Sequence, residues 1–472
     1  KAGQMTNMRT ALMKTWMVAV LAAAAGGVLA HSETAPTVTL LATYDGGFRD
    51  DTEMFTVDPA GNVTIVIQAD TLADGSKSDF VAATYGPDGT RKSVAVLDRK
   101  TDFDPGTGST SLDGRGNTYA SSAKSMATST CQGTDRGFWV NGLNAAGAVA
   151  VKFRHEVVGE QFNNFGGVQV DSLGNVFVLG SISRVTSVAG CQTKTVNAVV
   201  KWDKSGVKQW VYEEAQSPAV GTFVGANSLL PDGKGGFFLV GTTATTVACS
   251  QEIRIAKVTA AGALDAAFGT GGVKTDDWGA EDSLGWFVSL DEGGNVVVTG
   301  SSVTCVAPVT TVAMAARYDG ATGSRLAVLN LGNPNAANVA MLTAFGADGS
   351  GGLVAAKLMS DPNRPNTLGS YVLTKYGPTG TLIWTITESP TDSGSVSVDS
   401  AEIDLDGNVY VVVRSDTTVN TGTSSESYST SFRVVKYAAA DGHTEWSAIP
   451  PALSGKISRQ REFGVDKGGN VY

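Results

Sequence analysis

The stretch Val170-Asp171-Ser172-Leu173-Gly174-Asn175-Val176-Phe177-Val178-Leu179-Gly180 holds an Asp-x-x-Gly-Asn turn followed by an apolar run. The same turn returns at Asp58, Asp113, Asp232, Asp291, Asp348, Asp404 and Asp466, with Gly three residues on and Asn or Gly four on. The mean spacing is about 58 residues, a period that marks a repeat architecture. The turn has a local cause. An Asp carboxylate hydrogen-bonds backbone two residues on, and Gly supplies a positive-φ position without steric cost. A type I turn followed by such a Gly joins two antiparallel strands through a bulge. A calcium loop would need several more oxygen ligands at fixed spacing than one Asp and one Asn provide.

The order inside each period is constant. A short strand precedes the turn, as in Phe165 to Val170, and an apolar strand follows it, as in Asn295 to Gly300 or Asn408 to Val413. The second strand is apolar on both faces, the pattern of a strand buried on both sides. After a polar connection, a third strand ends in a basic residue and an aromatic: Lys201-Trp202, Arg317-Tyr318, Lys375-Tyr376, Lys436-Tyr437. A fourth strand then closes on Trp210, Trp384 or Trp446. Aromatics locked to a repeat read as packing layers. Four antiparallel strands per unit predict an all-β fold, a β-propeller of four-stranded blades. The β-helix is excluded because its coils are much shorter than this period. Seven complete blades are expected from near residues 54, 109, 166, 227, 286, 343 and 399, and a truncated eighth from near Glu462 to Tyr472.

Residues 1–30 read as a signal peptide: Arg9 and Lys14 precede the apolar run Trp16 to Ala25, and small residues lead to Ala30. Residues 31–53 read as an N-terminal strand and linker, with Thr37 to Tyr44 as a closing outer strand, and 54–472 as repeats cut short at the C-terminus. Without the leader, 32 basic residues face 45 acidic ones, a net charge of −13. Such an acidic chain repels phosphate backbones, so nucleic acid is not an expected partner. The leader's apolar run is shorter than the roughly 20 residues of a membrane span, and the mature chain holds no candidate span.

The turn, the Val- and Tyr-rich strand, the Lys-Tyr pair and the Gly and Trp after it resemble the bacterial secreted β-propeller repeat of the seven-bladed type. Gly262 to Gly272 resembles the related delta-sixty repeat. The resemblance spans 54–472 and implies export and a scaffold or surface role, with no shared catalytic residues.

Sites are sparse. His155 falls in a fourth strand, His443 in a third-to-fourth-strand turn and His31 at the processed N-terminus. No nucleophile elbow and no phosphate-binding glycine loop is present, and no adjacent Cys pair of the quinoprotein kind supports a quinone. The expectation is therefore no catalytic, cofactor or metal residues, with calcium the one ion the acidic loops could take. Two acidic clusters break the repeat: Asp45 to Glu53, and Asp276, Asp277, Trp278, Glu281 and Asp282 in a blade-to-blade loop. The second has the composition to bind calcium or a sugar ring, or to be a solvated loop. Cys131, Cys191, Cys249 and Cys305 recur 60, 58 and 56 residues apart, one per unit. In an oxidising compartment they are disulfide candidates, and neighbour reach favours Cys131–Cys191 with Cys249–Cys305 over the other two connectivities.

These features predict an exported, non-catalytic scaffold outside the cell, on its surface or in the periplasm. It would bind a protein or polysaccharide through loops such as Met359 to Ser370 and Ser415 to Ser431. One alternative is a glycoside hydrolase or polysaccharide lyase using carboxylates at the channel mouth. Another is a calcium-stabilised structural module.

Overall fold

A computed structural model of the chain describes residues 50–448, apart from 58–61, 71–77, 87–89, 100–109, 113–116, 130–132, 158–159, 188–191, 215–222, 245–249, 280, 306–309, 333–338, 349, 362–363, 390–394, 404–405 and 420–426. The expected signal peptide, closing strand and eighth turn, and 31–49 of the expected linker, lie outside the described residues, while 50–53 are part of the first strand.

Among the described residues there are strands and no helix. They run β1 (Asp50–Val57), β2 (Val63–Asp70), β3 (Ser78–Tyr85) and β4 (Arg91–Arg99), then β5 (Thr110–Leu112), β6 (Thr118–Ser129), β7 (Gly133–Leu143) and β8 (Val149–His155). A third set is β9 (Glu160–Val170), β10 (Val176–Ser187), β11 (Gln192–Trp202) and β12 (Lys208–Glu213). A fourth is β13 (Phe223–Pro231), β14 (Phe237–Ala244), β15 (Gln251–Val258) and β16 (Val273–Asp276). The fifth is β17 (Asp282–Leu290), β18 (Val296–Val303), β19 (Thr311–Tyr318) and β20 (Arg325–Gly332). The last two are β21 (Val339–Ala347), β22 (Leu353–Asp361), β23 (Arg364–Tyr376) and β24 (Leu382–Glu388), and β25 (Ser395–Ile403), β26 (Val409–Val419), β27 (Ser427–Tyr437) and β28 (Thr444–Ala448).

Each set is a four-stranded antiparallel meander in chain order, and a lone parallel bridge, Arg136 to Gln161, links the second set to the third. Six of the seven first strands, all but β5, start ahead of the expected boundaries because bulges interrupt their apolar pattern, as three of them show. The register slips at Leu179/Ser181, Gly285/Phe287 and Val398/Ser400, and pairing resumes beyond each slip. The segments expected as long loops are largely paired. Asp361 faces Arg364, and Val419 faces Ser427 at the tip of an extended hairpin. Their Ser- and Thr-rich composition reads as loop, but cross-strand partners satisfy the backbone and Thr suits a strand.

Two compact units divide the described chain between Gln209 and Trp210. Inside the first, β1 lies beside β5 and β5 beside β9. Inside the second, β13 lies beside β17, β17 beside β21 and β21 beside β25. First strands are thus neighbours, and sheets stack face to face behind them in a propeller-like manner. The second strands are buried on both faces, as Val176, Phe177, Val178 and Leu179 show. Neighbouring sheets share cores. Val354, Leu373 and Trp384 pack on Val398, Val411 and Val435, and Phe238 and Ile255 on Val288 and Val298. Each such side chain gains about 1.5–3 kcal/mol on full burial.

The repeated turn works as its residues dictate. Asp171 Oδ1 accepts from the Leu173 and Asn175 amides at 3.0 and 2.8 Å, and Asp348 Oδ1 from those of Ser350 and Gly352 at 3.0 and 2.8 Å. The other carboxylate oxygen meets the basic residue of the third strand. Arg317 Nε donates to Asp291 Oδ2 at 2.8 Å, and Lys375 Nζ lies 3.4 Å from Asp348 Oδ2. Lys375 also donates to the Gly407 and Ala439 carbonyls of the following sheet at 2.7 and 3.3 Å. Gly407 has φ +85°, and a Cβ there would lie 2.5 Å from Lys375 Nζ. That turn therefore needs Gly both for its conformation and for the ammonium's approach.

Replacing Lys375 by Met leaves the Asp348 carboxylate buried without its counter-charge. We expect a loss of about 3 kcal/mol, read as a lower denaturant midpoint, and a smaller loss in the Lys375→Met/Asp348→Asn double variant than the two single losses together.

Candidate functional site

In every meander, one end gathers the start of the first and third strands and the finish of the second and fourth; the Asp turns occupy the opposite end. The chemistry in the first unit lies at the former end. Glu160 opens β9 and faces Arg184 of β10 in register. Its Oε1 accepts from Arg184 Nε at 2.7 Å, and its Oε2 lies 3.2 Å from His155 Nε2. His155 closes β8, so its fourth strand ends directly against the connection into β9. The imidazole is buried and stacks on Phe138, centroids 5.5 Å apart and planes 12° from parallel. Phe138 meets Trp202 edge-on at 5.5 Å. Desolvation holds the imidazole pKa below its usual 6.5, outweighing the raising pull of Glu160, while Lys208 and Arg184 lower it further. The ring is therefore neutral near pH 7, and the carboxylate partner assigns the proton to Nε2.

The second unit has a related group. Glu214, just past β12, is buried. Its Oε1 accepts from Arg254 Nη2 of β15 and from the Tyr212 hydroxyl, the latter at 3.2 Å. Oε2 is enclosed and has no hydrogen-bond partner among the described residues. Burial raises the Glu214 carboxyl pKa, with Arg254 pulling it back, and the same burial raises that of the Tyr212 phenol. His155, Glu214 and Glu388 stand four residues after Val151, Trp210 and Trp384 of their fourth strands. They share one repeat position, where Leu331 serves in the fifth sheet. Glu388 likewise meets a third-strand Arg of the next sheet, Arg433, at 3.6 Å. A titratable residue at an otherwise apolar repeat position was the signal available in the sequence.

The acidic loop joins β16 to β17, as its place in the repeat predicted. Asp276 accepts from Tyr318 Oη at 2.7 Å and Arg325 Nη1 at 3.2 Å. Trp278 is a core side chain whose indole N–H donates to Tyr318 Oη at 2.9 Å. Asp277 Oδ1 accepts from the Gly279 amide at 2.7 Å. Glu281 accepts from the Cys305 amide, while Asp282 accepts from the Gln251 amide at 2.8 Å and the Cys305 thiol at 3.2 Å. The loop thus brings Glu281 and Asp282 together at Cys305 and keeps Asp276 and Trp278 at Tyr318. Among the described residues no group of three or more His, Cys, Asp or Glu is placed to hold a metal ion. Nor is any helix there long and apolar enough to cross a membrane. Cys131, Cys191 and Cys249 lie outside the described residues, and with them both expected disulfides.

No protein-family model matches the chain, and no curated protein matches it. Solved structures do. A polysaccharide lyase of family PL25, an ulvan lyase bound to -[GlcA(1-4)Rha3S]-, is similar at 8% identity and TM-score 0.39, over 85% of this chain and 86% of that one. A protein of unknown function from Dyadobacter fermentans is similar at 10% identity and TM-score 0.33, over 81% of this chain and 97% of that one. A GH32 β-fructofuranosidase from Bombyx mori is similar at 9% identity and TM-score 0.27, over 72% of this chain and 85% of that one. Likeness at this level concerns the all-β fold alone.

The expectation of a non-catalytic scaffold is corrected here. The strand end that seemed poor in acid–base groups holds His155 against Glu160 and Arg184. A histidine placed by sequence inside a strand is at that strand's last residue, and a neighbouring sheet supplies its partners.

The neutral His155 makes stability depend on pH. The unfolded chain takes up a proton near pH 6.5 that the folded one resists, so stability is complete above that value and falls as pH drops below it. Melting temperature should decline on acidification from about pH 7 to about pH 5, and more steeply in the wild type than in His155→Gln. Parallel curves for the two proteins would contradict a buried neutral imidazole.

Proposed function

We propose that the chain is an exported carbohydrate-active enzyme, a glycoside hydrolase or polysaccharide lyase, with its repeats as β-propeller blades and its chemistry at the blade-to-blade ends of the inner strands. One observation carries the reading: two first strands open on a carboxylate held in position by its neighbours. Glu160 of β9 is held by Arg184 and His155. Asp282 of β17 is held by the Gln251 amide and the Cys305 thiol. The leader over residues 1–30 supports export. Seven four-stranded meanders, with adjacent first strands inside each unit, support seven blades.

Hydrolysis of a glycosidic bond takes a carboxylic acid and a carboxylate on either side of it. Elimination across a uronic acid takes a cation on the sugar carboxylate and a base for the proton beside it. Glu160 suits the first reaction. Arg184, its side chain 37% exposed, suits the cation of the second. The names of the ulvan lyase and the fructofuranosidase also specify a carbohydrate substrate, but the reading rests on this chain's own carboxylates.

The test is turnover of a panel of neutral and uronate-containing polysaccharides by the purified protein. New reducing ends alone mark hydrolysis, and ultraviolet absorbance of an unsaturated uronate marks elimination. Glu160→Gln should lower turnover by about 100-fold or more while the protein stays folded by circular dichroism. A folded Glu160→Gln protein with wild-type turnover, or a wild type inert on every carbohydrate, refutes the proposal.

A further inference from the structure

Arg184, Arg254, Arg317, Arg325 and Arg433 each meet a carboxylate, those of Glu160, Glu214, Asp291, Asp276 and Glu388. Arg154 meets a ring instead. It stands opposite Trp139 in the pairing of β8 with β7, and its guanidinium carbon lies over the indole, 4.7 Å from the ring centroid. Lys152, two residues earlier on the same face of β8, holds its ammonium nitrogen 5.5 Å from that indole. Both distances fall within the reach of about 6 Å at which a ring quadrupole attracts a cation. The two basic side chains are exposed, the indole is half-buried, and among the described residues neither cation forms an ion pair.

The acid closest in sequence is Glu156, and its carboxylate accepts from the Trp139 indole N–H. It is engaged by the ring and not by the cations. Two positive charges are thus held at one indole without a carboxylate, in a chain whose formal net charge is −10. Their mutual repulsion is a cost that an anion between them would remove. A guanidinium over a ring keeps N–H groups at its edge, and these donate in pairs to an oxyanion. The lysine adds a second, flexible point charge. Arg154 directly precedes His155, which pairs with Phe138 and stacks on it on the other face of the sheet. The cation pair therefore borders the candidate site at the finish of β8.

We propose that Arg154 and Lys152, positioned by Trp139, form a binding subsite for the carboxylate- or sulfate-bearing sugar of an anionic polysaccharide. The polymer class rests on the carbohydrate reading of the neighbouring site, and the charge of the ligand on these three side chains. The indole positions the cations and does not itself stack on the sugar, since the cations already lie over it. The acidic remainder of the chain does not forbid such a ligand. At about 0.1 M salt, exposed charges more than about 10 Å away are largely screened, so an anion at this place responds to the two cations beside it.

The test is isothermal titration of the protein with polygalacturonate, dextran sulfate and uncharged dextran at about 0.1 M salt. Saturable binding of at least one polyanion and none of dextran is expected, and the preferred polyanion tells carboxylate from sulfate. Arg154→Gln, alone or with Lys152→Gln, should weaken that binding about tenfold or more. Lys234→Gln, which removes one exposed charge from the turn of the fourth sheet, should leave it unchanged. Binding of neither polyanion, equal binding of dextran, or equal losses in Lys234→Gln and Arg154→Gln would each overturn the proposal. Turnover separates this result from the catalytic reading. A protein that cleaves a carbohydrate but binds neither polyanion loses the subsite and keeps the enzyme, whereas one that binds a polyanion through Arg154 and cleaves nothing keeps the subsite alone.

Discussion

A cation buried at the end of a third strand is the interaction on which the stacking of these sheets depends. Lys375 is held between the carboxylate of its own sheet's turn, Asp348, and two carbonyls of the next sheet, Gly407 and Ala439. An ammonium in so enclosed a place is tolerable only with a counter-charge and with its protons shared among acceptors. Supplying both fixes how one sheet meets the next. Arg317 does part of the same work with Asp291, beneath Gly351 of the following turn. The repeated Asp thus serves twice, once as the staple of its own turn and once as the counter-ion for the strand beside it.

Around that polar tie the seams are filled by whatever side chain the local repeat offers. Trp210 covers Gly262, Phe268 covers Gly323, Leu329 covers Gly380 and Trp384 covers Gly442. Phe268 comes from the segment that resembles a delta-sixty unit, which inserts turns between β15 and β16 and delivers a fully buried ring to the fourth-to-fifth seam. Different residues thereby meet one requirement, covering the apolar faces of two stacked sheets. Where the filler gives way to charge, as at Glu214 and Arg254, a desolvated ion pair takes the place of apolar packing.

The chemistry of the chain therefore concentrates where the repeat is broken. His155, Glu214 and Glu388 share a position that is apolar in the fifth sheet, and each finds its partner across a seam or in the connection beyond it. The acidic loop shows the converse. Asp276 and Trp278 look like a ligand site in the sequence, but Tyr318 takes both of them into the packing of the fourth and fifth sheets.

The turn, its period, the strand order and the two-faced burial of second strands were legible in the residues, because each rests on contacts within a few positions or on simple periodicity. The Asp171 carboxylate reaches amides two and four residues on, and no distant part of the chain is needed to predict it. Hairpin arms such as β22 with β23 were not legible, because polar strands stay extended only through partners that periodicity does not reveal. The candidate site was decided by tertiary structure. Glu160 and Arg184 are 24 residues apart and His155 belongs to another sheet. Only the stacking of sheets brings that histidine out of water beside a carboxylate, and only that burial keeps it neutral. The residues of the site stand in the sequence, but their distances, their desolvation and hence their protonation belong to the fold.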